Sequence, residues 1–79
     1  MKARVYVTLK RTVLDPQGQT ILAALASLGH QAVKDVRQGK VFELELDGVS
    51  RAEAEKQIEQ IAREVLTNPV IEEFRYELE

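Results

Sequence analysis

The chain has 79 residues, with thirteen acidic and eleven basic side chains, a net charge of −2 and a pI near 5.4. That length implies one small domain, residues 1–79, and the acidic balance argues against a nucleic-acid binder held by phosphate contacts. With no cysteine there is no disulfide framework, thiolate nucleophile or thiolate zinc site. No apolar run reaches the length of a membrane span, and the opening MKARVYV enters a strand rather than a signal-peptide core, so a cytoplasmic protein without membrane contact is expected.

Ala3 to Lys10 reads as the first strand, with Val5, Val7 and Leu9 facing one layer and Arg4, Tyr6, Thr8 and Lys10 the other. Lys10-Arg11-Thr12 follows at the strand's end. Two bases beside a hydroxyl can hold a phosphate, but no glycine-rich cradle accompanies them, so a solvated charge pair is the better reading. Leu14-Asp15-Pro16-Gln17-Gly18 is a helix start: Asp15 suits the cap and Pro16 the first helical position. Ile21, Leu22, Leu25 and Leu28 then form one apolar stripe, and Gly29 sits where a left-handed C-terminal residue belongs. No charged residue occurs from Pro16 through Gly29. A face of that kind is cheap to desolvate against another subunit. His30, the single histidine, has no nucleophile or carboxylate at a spacing that implies catalysis.

Val33 to Leu46 reads as a β-hairpin turning at Gln38-Gly39. Phe42, Leu44 and Leu46 alternate with Glu43, Glu45 and Asp47, the pattern of a strand with one dry and one wet face. Gly39 would supply the positive φ of a tight turn. Val33 and Val36 break the alternation of the first arm, and a β-bulge there would turn both inward and leave Asp35 and Arg37 outward. Asp35, Arg37 and Lys40 are therefore the most informative polar residues, unless they are tip charges kept for solubility.

Asp47-Gly48 turns the chain into a second helix. Ser50 and Glu53 fit a capping box, Ala54, Ile58, Ile61, Ala62 and Val65 form the core-facing stripe, and charged residues cover the remainder. Asn68-Pro69 stops the helix. Val70 to Leu78 is the last strand, with Phe74, Tyr76 and Leu78 on one face and Glu73, Arg75 and Glu77 on the other. The expected class is α+β: a two-layer β-α-β-β-α-β, ferredoxin-like arrangement, with an antiparallel sheet and helices on one side. No metal-ligand cluster, catalytic pair or phosphate loop stands out, so no catalytic, cofactor-binding or metal residue is assigned.

Three stretches together resemble one family: Leu14–Gly18, Val33–Lys40 and Asn68–Glu77, in the same order and spacing over essentially the whole chain. The family is PurS, the small subunit of phosphoribosylformylglycinamidine (FGAM) synthase in purine biosynthesis. The resemblance implies a PurS-like domain with no activity alone, serving a complex that uses ATP, magnesium and glutamine to convert formylglycinamide ribonucleotide to the amidine. It implies as partners a large synthetase subunit (PurL) and a glutaminase subunit (PurQ), with the small subunit bridging the two and assisting ammonia passage. It also implies a homodimer or homotetramer in which strands are shared. The contact surface expected for these partners is Asp15, Gln17 and Gly18 together with Asp35, Arg37, Gly39 and Lys40. Self-association by strand pairing is expected through the first strand or the hairpin, because unpaired edges invite pairing. The alternative is a regulatory module of the same fold, holding a small molecule between the Leu14–Gly18 loop and a neighbouring protomer.

Overall fold

The computed structural model describes all of residues 1–79. Strand β1 (Lys2–Leu9) is followed by helix α1 (Pro16–Ser27), strand β2 (Gly39–Glu45), helix α2 (Arg51–Ile61) and strand β3 (Glu72–Leu78). The three strands form one antiparallel sheet in the order β2-β1-β3. β1 is therefore central, with Val5 opposite Phe42 on one side and Tyr76 on the other. The expected α+β class holds, with its antiparallel sheet and two helices, in three strands rather than four.

The alternation in each strand sorts the side chains as the sequence implied. Ala3, Val5 and Val7 are buried against Ile58 of α2 and Ala62 just beyond it, and Phe42, Leu44, Leu46, Phe74, Tyr76 and Leu78 pack around that cluster. The reverse face of the sheet carries charges. Lys2 and Arg4 pair with Glu43 at 3.9 and 3.6 Å, and the Arg75 guanidinium lies 4.0 Å from the centre of the Tyr6 ring. α2 starts with half of the expected capping box: the Ser50 hydroxyl accepts from the Glu53 N–H at 3.2 Å, without the return bond to the Glu53 carboxylate.

Four expectations are corrected. Residues 33–38 are not a strand and have no partner in the sheet, so there is no hairpin turning at Gln38-Gly39. β1 cannot be the pairing edge, since both of its sides are filled. Gly39 opens β2 without a positive φ; the left-handed glycines are Gly29 and Gly48. It is required instead by close approach, because a β-carbon there would lie 2.5 Å from the Val7 carbonyl oxygen. Val65 is 73 % exposed rather than in the core. The last turn, Ala62–Leu66, is wound as a π-helix, and the wider turn carries Val65 outward and puts Leu66 against the core.

The largest departure concerns α1. Its helix forms and ends as expected, with Gly29 left-handed and the His30 N–H reaching back to the Leu25 carbonyl at 2.9 Å. Yet Gly18 is its only buried residue, and every residue from Ala26 to Asp35 is exposed. Residues 16–38 form an arm that stands off the sheet. The radius of gyration is 16.0 Å, against roughly 12 Å for a compact chain of this length.

Candidate functional site: the cleft at the base of the arm

The end of β1, the start of β2 and the start of β3 converge where the arm leaves and rejoins the body. A cleft of about 240 Å³ opens there between Val7, Leu9, Asp15, Gln17, Gln38, Gly39, Lys40 and Glu72. It falls below the roughly 300–1,000 Å³ typical of small-molecule sites.

Asp15 is its buried polar centre, 3 % exposed. Its position is dictated locally, since Asp before Pro at a helix start presents a carboxylate to the free N–H groups of the first turn. Oδ1 accepts from the Gly18 N–H at 2.9 Å and Oδ2 accepts from the Gln38 N–H at 2.7 Å. These bonds, from Gln38 first and then Gly18, hold its carboxyl below the ordinary value of 3.8 against the opposing effect of burial, with help from the nearby Arg37 charge. Gly18 is packed so closely that a β-carbon would lie 2.2 Å from the Val36 carbonyl oxygen. The Gln38 side-chain amide donates to the Gln17 amide oxygen.

Arg37 turns inward. Its Nη2 donates to the carbonyls of Lys10 and Val13, both at 3.0 Å, and these are the two ends of a turn closed by the Val13 N–H on the Lys10 carbonyl at 2.9 Å. It is thus the backbone of the Lys10-Arg11-Thr12 stretch that the fold uses. Lys40 pairs with Glu72 at 3.6 Å, where the Glu72 side chain is only 16 % exposed, and sits 5.7 Å from the Phe42 ring centre. Glu72 also accepts from the Asn68 N–H at 2.7 Å.

Of the seven residues singled out in the sequence, Asp15, Gln17, Gly39 and Lys40 line this cleft, with Gly18 and Arg37 immediately behind it. Asp35 stands apart, exposed, bonded only to the N–H of its own neighbour Val36 at 2.9 Å. Sequence reasoning missed Glu72 and Gln38. Glu72 did leave a signal: it shares the parity of Phe74, Tyr76 and Leu78, a carboxylate on the dry face of a strand.

The two sheet edges differ. The bonds joining Met1 to Leu46, and Lys10 and Glu79 to Ile71 and Lys2, set the alternation of the ladders. At β3 the outward carbonyl of Leu78 accepts from Arg51 at 3.0 Å, and the outward N–H of Glu72 is used by Asn68 at 2.8 Å. β2 has no such covering and presents Gly39, Val41, Glu43 and Glu45 as an open edge.

The family model for PurS, described as phosphoribosylformylglycinamidine (FGAM) synthase, matches residues 2–79. The chain belongs to the PurS family. It is 47 % identical to the FGAM synthase subunit PurS of Mycobacterium leprae over 73 residues, 92 % of this chain and 89 % of that one. Against the Bacillus subtilis PurS subunit it is 42 % identical over 78 residues, 99 % and 92 % of the two chains. Among solved structures, B. subtilis PurS superposes with a TM-score of 0.87 at 42 % identity, covering 99 % of this chain and 96 % of that one. A chain of the Thermotoga maritima PurLQS structure does so at 0.88 and 32 % identity, covering 96 % and 93 %.

Proposed function

We propose that this PurS chain is the non-catalytic accessory subunit of an FGAM synthase complex, in which ATP- and glutamine-dependent chemistry converts formylglycinamide ribonucleotide to FGAM. In this reading it acts as one domain, 1–79, in the cytoplasm, bridges the large synthetase (PurL) and the glutaminase (PurQ), and assists ammonia transfer. ATP, magnesium and glutamine belong to the partners. The observation that carries the reading is the close match to a chain of the PurLQS structure over nearly its full length. The cleft is consistent with it: Asp15 is engaged by two backbone N–H groups, and Glu72 by Lys40 and Asn68. Neither carboxylate is left free for acid–base work.

The chain associates with itself through the open β2 edge and the apolar face of α1. Ile21 and Leu28 are exposed on that helix, and Val41 is exposed on the strand. Gln17 and Lys40 in the cleft, and Asp35 on the arm apart from it, face solvent and are the residues available to PurL or PurQ.

Co-elution with the large synthetase and glutaminase subunits, with and without glutamine and ADP, tests the assignment. A stable assembly is expected, and Asp35→Ala with Lys40→Ala should weaken it or lower glutamine-dependent turnover while the fold is kept. A chain that never joins the two larger subunits, or that turns over a substrate alone, defeats the assignment. A light-scattering mass of one chain at micromolar concentration defeats self-association.

A further inference from the structure

The arm of residues 16–38 is fastened at one end only. Its outgoing limb begins at Asp15, its returning limb ends at Gln38, and a single carboxylate ties them: one oxygen to the Gly18 N–H, the other to the Gln38 N–H. Arg37 fastens the returning limb to the body through the Lys10 and Val13 carbonyls. The glycine at 18 allows the two limbs to touch at Val36. At the far end nothing comparable exists, and the exposed residues from Ala26 to Asp35 make only local bonds. Helix α1 has twelve residues, about 18 Å of rigid rod, so a small rotation at the base is a large displacement at the tip.

We propose that Asp15 and Arg37 are positioning residues that clamp the base of this arm in one direction, and thereby pre-set the geometry in which α1 meets a second copy of the chain. This rests on the reading that a second copy covers α1. The clamp bears no contact to the partner. It acts by ordering the arm before association, so that less conformational freedom is lost on binding. If unclamping leaves one chain in ten pointing correctly, and both copies of a pair must do so, the apparent dissociation constant of the assembly rises about a hundredfold.

The test uses the full chain, which has no cysteine of its own. Spin labels at His30→Cys, near the tip, and Gln60→Cys, on α2, report the arm's direction by dipolar distance measurement, with excess unlabelled chain added so that only distances within one chain are read. Asp15→Asn separates the clamp from the cap: Asn caps helices as well as Asp, but its amide has one acceptor oxygen and cannot serve both N–H groups. Arg37→Met keeps the stem and removes both carbonyl bonds. A single narrow distance is expected for the parent and a broad distribution for each variant, with helix content by circular dichroism unchanged and the dissociation constant by sedimentation raised about a hundredfold. Narrow, unshifted distances in both variants overturn the clamp, whatever the mass. Broadened distances with an unchanged dissociation constant overturn its role in association. A parent that stays monomeric at every concentration overturns that role together with the reading beneath it, while the distances still decide whether the clamp exists.

Discussion

The two helices of this chain are opposites in composition and in what they bury. α2 is charged over most of its surface and buries Ala54 and Ile58 completely. α1 has no charge between Pro16 and Ser27, and only Gly18 is buried. A helix that packs on its own sheet needs a charged outer face to stay in solution. A helix that is neutral all round and still stands off the sheet presents the kind of surface that the proposed self-association would cover. Composition here separates what the chain covers itself from what it leaves for another molecule to cover.

The sharpest way to break the contrast is to truncate one apolar residue on each helix. Ile58→Ala should cost about 2–5 kcal/mol in urea denaturation. Leu25→Ala should cost less than about 1 kcal/mol in the dissociated chain, being a substitution outside the core, yet weaken self-association measured by sedimentation. Equal losses of stability would mean that α1 is part of the folding core after all. Next in size is Gly18→Ala, which drives a β-carbon into the Val36 carbonyl. It should cost on the order of 1–3 kcal/mol, as overpacking does, where an alanine in the open middle of α1, such as Thr20→Ala, should be neutral.

Acid sharpens the same comparison. Because the folded-state pKa of Asp15 is lowered, its contribution is complete above the ordinary value of 3.8 and is lost as pH falls below that through the folded value. Urea midpoints of the parent and Asp15→Asn should therefore differ at neutral pH and converge below pH 3.8. Arg37, Lys40 and Glu72 surround the site, so Glu72→Gln, measured alongside, serves as the control for the neighbouring carboxylate. Parallel curves throughout would remove Asp15 from the acid response. The smallest effect is on the wet side of α2. Glu59 and Arg63 pair at 3.3 Å in solvent, and Arg63→Ala should shift stability by no more than about 0.5 kcal/mol.

The strands, the caps and most of the core were legible because each is written locally. Val5 and Val7, Phe42 to Leu46 and Phe74 to Leu78 alternate, and Asp15 and Ser50 sit one residue before their helices. What escaped depends on distance. Asp15 could be read as a cap, but not as the acceptor for Gln38, which lies 23 positions on. Arg37 looked like a tip charge, because nothing in its neighbourhood announces the Lys10 and Val13 carbonyls. Val33 and Val36 carry strand propensity, but a strand exists only beside a partner, and the chain offers these residues none. Val65 fits the helical period, and only the π-wound turn takes it out of the core. The seven residues expected at the contact surface do gather around one cleft, except Asp35; whether they touch a partner is the question for the co-elution experiment.

The open face of α1 also bears on how much of this protein a cell can hold. A copy made in excess of whatever covers it would display Ile21, Leu28 and the bare backbone of β2, the kind of surface that chaperones retain and proteases clear. Its production is therefore best matched to that of the molecules it joins, and an imbalance should appear first as shortened lifetime of the orphan.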